Sequence, residues 1–285
     1  MLRSGSISFL SMMLAGVLCA QAPAKKLAVE RLALHQYEDG PELAASYTFV
    51  PGETAHFSGY VGGFQVEKKG EEQSVKIDWK IRVVDPSGMD AVKEQSGVVA
   101  DRILPQDKNW QPKFLITFMV PPFAPSGTFR VIVTIKDEIS GGEATGELPF
   151  TVHGKPVEAS DTLTTRNFEF LKSENDRSAM REAIFHPGEM LWAKFDITGY
   201  KLGEGNRFEV TYGLAVQTTD GKQLFAQPDA ATDANQSFYP QRYVPASLSL
   251  TLNPNVPKGS FVLVVAVRDK VGNQSWETKQ PFEIQ

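Results

Sequence analysis

The chain has 285 residues, 41% hydrophobic and 22% charged, with a formal net charge of −5. This is a globular composition, long enough for two independent cores, and its acidic balance speaks against a nucleic-acid binder, which needs a basic face. The single cysteine, Cys19, rules out an intrachain disulfide framework; past that point neither thiolate catalysis nor Cys-ligated zinc is available.

Residues 1–22 read as a secretory signal, with Arg3 as the positive n-region and Ile7 to Leu18 as the apolar core. Cleavage fits after Ala20 or Ala22. The apolar run is shorter than the roughly 20 residues a bilayer span needs, so the processed chain is not expected to be an integral membrane protein. Leu18 is too bulky for the position before an acylated cysteine, which argues against a lipid anchor on Cys19. Export without disulfides points to a bacterial envelope, periplasmic or extracellular.

A first domain is expected over residues 26–153. Val75, Ile77, Trp79, Ile81 and Val83 alternate with Lys76, Asp78, Lys80 and Arg82, the period-two pattern of a strand with one buried and one wet face. Asp85-Pro86-Ser87-Gly88 ends it in a tight turn. Phe129, Val131, Val133 and Ile135 form a second alternating strand closed by Asp137, and the following turn makes a hairpin with a last strand ending at Val152. Asp137 is read as a turn cap rather than a calcium ligand, because calcium wants six or more oxygens and only one carboxylate sits there. Residues 154–163, with Pro156 and small polar residues, form a short linker that favours a fixed tandem.

Residues 164–285 repeat the design. Pro125–Asp137 returns about 132 positions later as Pro257–Asp269, Pro149-Phe150 as Pro281-Phe282, and Phe49–Glu53 as Phe185–Glu189. The alternating strand returns as Phe208, Val210, Tyr212, Leu214 and Val216, with Tyr212 inward like Trp79. A period of this length is a whole domain, since solenoid units run about 20–50 residues. The fold class expected is all-β: two tandem immunoglobulin-like β-sandwiches arising from an internal duplication.

Phe-x-Pro-Gly-Glu followed by Phe57 and Gly59-Tyr60, or by Phe195 and Gly199-Tyr200, then Asp85–Gly88, then Pro-x-Gly-[Thr/Ser]-Phe, resembles bacterial extracytoplasmic Ig-like repeats. It is also similar to macroglobulin-type domains. The resemblance implies a sandwich fold; its motifs are turn chemistry and core positions, which specify a fold rather than an activity. The thioester Cys-Gly-Glu-Gln of full macroglobulins is absent, so covalent trapping is not implied.

No catalytic residue is assigned. His35, His56, His153 and His186 are isolated, without metal-ligand spacing, and neither Gly-x-Ser-x-Gly nor a phosphate-cradling loop occurs. No metal and no cofactor are expected. Two features distinguish the copies. The loops Asp107–Phe114 and Phe238–Pro245 interleave aromatics with basic residues, which suits stacking on sugar rings or gripping a peptide and nominates Trp110, Tyr239, Arg242 and Tyr243 as binding residues. The outward positions Gly213, Ala215, Val262, Val264 and Ala266 are small and uncharged where the first copy carries Lys and Arg, which nominates them as an interface. The function expected is a non-enzymatic binding or spacer protein of the envelope that makes protein contacts. The alternatives are a carbohydrate-binding module using the aromatic loops and a macroglobulin-like pair within a larger assembly. The partner is an unidentified envelope protein or polysaccharide, not a nucleic acid.

Overall fold

The structure is a computed structural model that describes residues 25–104, 106–176 and 178–285; the signal read over 1–22, with Cys19, lies outside them. The first half contains β1 (Ala28–His35), β2 (Thr48–Phe49), β3 (Thr54–Gly62), β4 (Glu67–Lys69), β5 (Glu72–Val84), β6 (Gln95–Ile103), β7 (Lys113–Met119), β8 (Gly127–Asp137) and β9 (Glu143–Val152). The second contains β10 (Thr164–Leu171), β11 (Ile184–Phe185), β12 (Met190–Thr198), β13 (Phe208–Thr218), β14 (Gln223–Asn235), β15 (Tyr243–Thr251), β16 (Gly259–Asp269) and β17 (Gln274–Ile284). The single helical turn among the described residues is Glu204–Asn206.

Sheet order repeats between the halves. In the first, β1-β3-β7 faces β2-β9-β8-β5-β4, with β6 also on β5; in the second, β10-β12-β15 faces β11-β17-β16-β13-β14. Strands β5 and β8 are neighbours, as are β13 and β16, and the hairpins β8–β9 and β16–β17 close as the alternation and turn residues require. Each pair of sheets encloses its own core. Phe129, Val131, Val133 and Ile135 are fully buried in one, Phe195, Ile197, Leu263 and Val265 in the other. Burying each such side chain contributes about 1.5–3 kcal/mol, which is why the inward positions are apolar in both copies.

The repeated aspartates are turn caps. Asp137 accepts N–H bonds from Ile139 at 2.9 Å and from Gln65 at 2.8 Å, and the Ser140 hydroxyl at 2.8 Å. Asp269 accepts from Val271, Gly272 and Lys201 at 3.0, 2.9 and 2.9 Å. Each carboxylate therefore ties its hairpin to the loop that follows β3 or β12. This corrects one pairing read from the sequence. The partner of Gly199-Tyr200 is Gly63-Phe64 rather than Gly59-Tyr60: Gly63 (φ 69°) and Gly199 (φ 76°) both turn in the left-handed region two residues before Gln65 or Lys201, whose N–H the aspartate holds. Both also lie against the chain entering their first strand, and a Cβ would meet the Lys26 carbonyl oxygen at 2.3 Å or that of Thr162 at 1.9 Å. Only glycine fits such an approach.

Candidate functional site

The two sandwiches meet at a joint built from three segments. The first is the turn after β5. Asp85 Oδ1 accepts from the Ser87 N–H at 2.8 Å, the Ser87 hydroxyl at 2.6 Å and the Met89 N–H at 2.9 Å. Its Oδ2 accepts the Tyr239 hydroxyl, 154 residues away, at 2.9 Å in a buried bond. Burial pushes the Asp85 carboxyl up, but the bonds from Ser87, Met89 and Tyr239 outweigh it and hold the group below the ordinary carboxylate value. Burial first, and then the bond to Asp85, push the Tyr239 hydroxyl well above the usual phenol range. The Tyr239 ring is only 6% exposed and packs within the core of the first sandwich.

The second segment is the connection between the sandwiches. Gly154 exchanges hydrogen bonds of 3.0 Å with the Ser126 side chain, and a Cβ there would meet the Ala124 carbonyl oxygen at 2.1 Å. Next to it, Lys155 Nζ pairs with the fully buried Asp196 carboxylate at 2.6 Å. Asn167 Nδ2 donates to Oδ2 of that carboxylate at 2.8 Å and to the Pro156 carbonyl at 3.2 Å. Asn167 sits at a bulge in β10 with φ 51°, a conformation asparagine tolerates better than most residues, and the bulge aims its amide at the joint. The third segment brings Phe123, after β7, edge-on to the Tyr243 ring at the start of β15, with centroids 5.4 Å apart.

Two clefts flank these contacts and share Phe123. One, of about 360 Å³, is mainly apolar and is lined by Met119, Pro122, Phe123, Phe238 and Tyr239, with Lys93 at its side. The other, of about 240 Å³, is lined by Ser87, Phe123, Ser126, Lys155, Thr198, Arg242 and Tyr243. Among the described residues, no group of three or more His, Cys, Asp and Glu side chains gathers at metal-binding spacing, and no helix is long and apolar enough to cross a membrane.

The structure brings Tyr239, Arg242 and Tyr243 together but leaves Trp110 apart. Trp110 precedes β7 while the joint follows it, and its ring packs edge-on to Phe64 at 6.2 Å against the first core. Tyr239 offers no free ring face, because a buried ring with a committed hydroxyl has none to give. Arg242 is exposed and Tyr243 half-buried. Of the outward positions in the second sandwich, Val264 is 5% exposed and Gly213 is buried beneath Gln227-Pro228 of a bulge in β14, while Ala215, Val262 and Ala266 are half-buried. Gly213 thus lies under the β14 bulge, and the exposed large apolar side chains of the sheet are Leu224 and Phe225 on β14 and Trp276 on β17. Sequence reasoning missed Asp85, Phe123, Lys155 and Asp196. The available signal was Asp196, a carboxylate flanked by the apolar Phe195 and Ile197.

The chain is an all-β protein of immunoglobulin-like β-sandwich type, on its sheets and cores alone. No protein-family model matches it, and no curated protein matches it. Among solved structures it is similar to the C-terminal domain of the AgI/II polypeptide BspA of Streptococcus agalactiae, at 10% identity and TM-score 0.30 over 91% of this chain and 99% of that one. It is similar to the C-terminal domain of the antigen I/II-family protein AspA of Streptococcus pyogenes, at 8% identity and TM-score 0.30 over 92% and 100% of the two chains. Escherichia coli alpha-2-macroglobulin activated by porcine elastase is similar at 11% identity and TM-score 0.27, over 91% of this chain and 22% of that chain.

Proposed function

We propose that the protein is a non-enzymatic, exported spacer of the bacterial envelope that makes protein contacts through two β-sandwich domains, 26–153 and 164–285, held in a fixed tandem. The observation that carries this reading is the buried Tyr239–Asp85 bond. A ring from one domain completes the core of the other, and the linker is tied on both sides by Ser126 and Asp196. A freely hinged pair would need neither. Export rests on the apolar leader Ile7–Leu18 behind Arg3. The contact edge is β14, an outer strand presenting Leu224 and Phe225, 48% and 41% exposed.

The test has two parts. Small-angle scattering of residues 23–285 is expected to fit one rigid particle, whereas Tyr239→Ala, which empties the ring's place in the first core, broadens the distribution of dimensions. An unchanged profile would remove the fixed joint from the proposal. Retention of the purified protein by the host envelope fraction, abolished by prior protease treatment of that fraction, is the expected sign of a protein partner. Absence of retention would overturn the contact role.

A further inference from the structure

The smaller cleft at the joint has an accessible chemistry opposite in sign to the chain as a whole. Net charge is −5, yet the one carboxylate in its wall, Asp85, is 2% exposed and receives all its bonds from Ser87, Met89 and Tyr239. The charges left facing solvent are cations. Arg242 is exposed and enters none of the ion pairs formed among the described residues; Lys155, 41% exposed, shares its ammonium with Asp196. Beside them stand the paired rings of Phe123 and Tyr243. The exposed hydroxyls donate internally, Ser126 to the Gly154 carbonyl and Ser87 to Asp85, which leaves acceptor lone pairs on both, one of them on Ser126, whose oxygen also takes the Gly154 N–H. The cleft thus combines cationic donors, hydroxyl acceptors and aromatic edges.

Backbone geometry gives a second, independent sign. Phe123 holds φ 65°, in the left-handed region that a bulky side chain adopts at a cost of about 1–3 kcal/mol. Such strain persists where the surroundings enforce it, and here it places one ring between both clefts.

We infer that this cleft binds a single carboxylate-bearing sugar residue, such as a uronate unit of an acidic polysaccharide. The carboxylate would lie on Arg242, with Lys155 second. The sugar's own hydroxyls donate to Ser126 and Ser87, and its apolar ring face lies on Phe123 and Tyr243. Drug-sized ligands occupy about 300–1,000 Å³, so a cleft of about 240 Å³ suits one ring rather than a longer segment. A peptide side-chain carboxylate would satisfy Arg242 but brings few O–H donors for the hydroxyl acceptors, which favours the saccharide. The site rests on the fixed joint proposed above, because its walls come from both sandwiches.

Calorimetric titration of the mature protein with a glucuronate-containing oligosaccharide, its neutral glucose counterpart and a short poly-glutamate peptide tests the inference. The acidic oligosaccharide is expected to bind, weakening as salt rises, and the neutral one not to. Arg242→Gln should weaken binding about tenfold or more by removing a charge-assisted bond. Phe123→Gly, which suits the positive φ, should weaken it by removing the ring. Scattering from Arg242→Gln is expected to match the wild type, which separates loss of the ligand from loss of the joint. No binding, equal binding of the neutral sugar, preference for the peptide, or an Arg242→Gln variant that binds like the wild type would each overturn the assignment.

Discussion

At the scale of single residues, the carboxylates Asp85 and Asp137 carry more of the fold than their number suggests. Burial alone would raise both, yet the N–H and hydroxyl donors around them outweigh it, and both lie below the ordinary carboxylate value. With the folded value depressed, the stabilisation is fully present above the unfolded pKa of about 3.9 and is lost as pH falls through the folded value. Urea midpoints are therefore expected not to vary with pH on account of these groups between about pH 5 and 7, where their contribution is fully present, and to fall below about pH 4. Asp137→Asn exchanges an acceptor oxygen for an amide that cannot take the Gln65 and Ser140 bonds, and should cost about 1–3 kcal/mol at neutral pH. The same variant should show a shallower fall in acid; an acid limb as steep as the wild type would mean that Asp137 is not among the groups titrating. The caps were legible in the sequence because an Asx turn is a local device, written in Asp137 and Asp269 at the same place in each repeat. Asp85 was legible only as a turn former. Its bond to Tyr239 spans 154 residues, and nothing local encodes it.

Elements show the same division between local and distant information. Alternation located β5, β8, β13 and β16 and their inward faces, because burial on one side of a pleated strand forces a period of two. The first strands escaped notice: β1 and β10 share no obvious residues, yet both bulge at a residue of positive φ, Arg31 or Asn167. The two positions differ in use. Arg31 lies over the Tyr60 ring at 3.6 Å, whereas Asn167 braces Asp196 at the joint. The outward face of β13 and β16 looked like a contact surface because its residues are small and uncharged, but small residues also make room, and Gly213 is occupied by the β14 bulge. That bulge has its own consequence. β14 is a 13-residue outer strand, and Pro228 interrupts it where a long flat edge would recruit other chains. Pro228→Thr is expected to straighten the edge and produce concentration-dependent dimers or larger species in sedimentation, with Leu224 and Phe225 at the contact. A variant that stays monomeric at every concentration would show that the edge needs no such guard.

Across the whole molecule, the joint makes two cores interdependent. Tyr239 belongs by chain to the second sandwich and by packing to the first, so unfolding of the second leaves a gap in the first. The linker adds an electrostatic tie at Asp196, which is fully buried and depends on Lys155 and Asn167 for its bonds. Removing one partner of a fully buried pair costs about 3–5 kcal/mol, because the remaining charge is stranded. Lys155 stands partly in water, so the pair is screened, and Lys155→Met should cost about 1–3 kcal/mol instead. Asp196→Asn added to Lys155→Met neutralises the stranded charge while keeping an amide beside Asn167, and should recover most of that loss. Scanning calorimetry distinguishes the alternatives. A single transition in the wild type that splits in Lys155→Met and merges again in the double variant would place the tie at the centre of the coupling. A double variant no more stable than Lys155→Met would mean instead that Lys155 acts through its ammonium over the Tyr243 ring, and that charge at Asp196 is incidental to the joint.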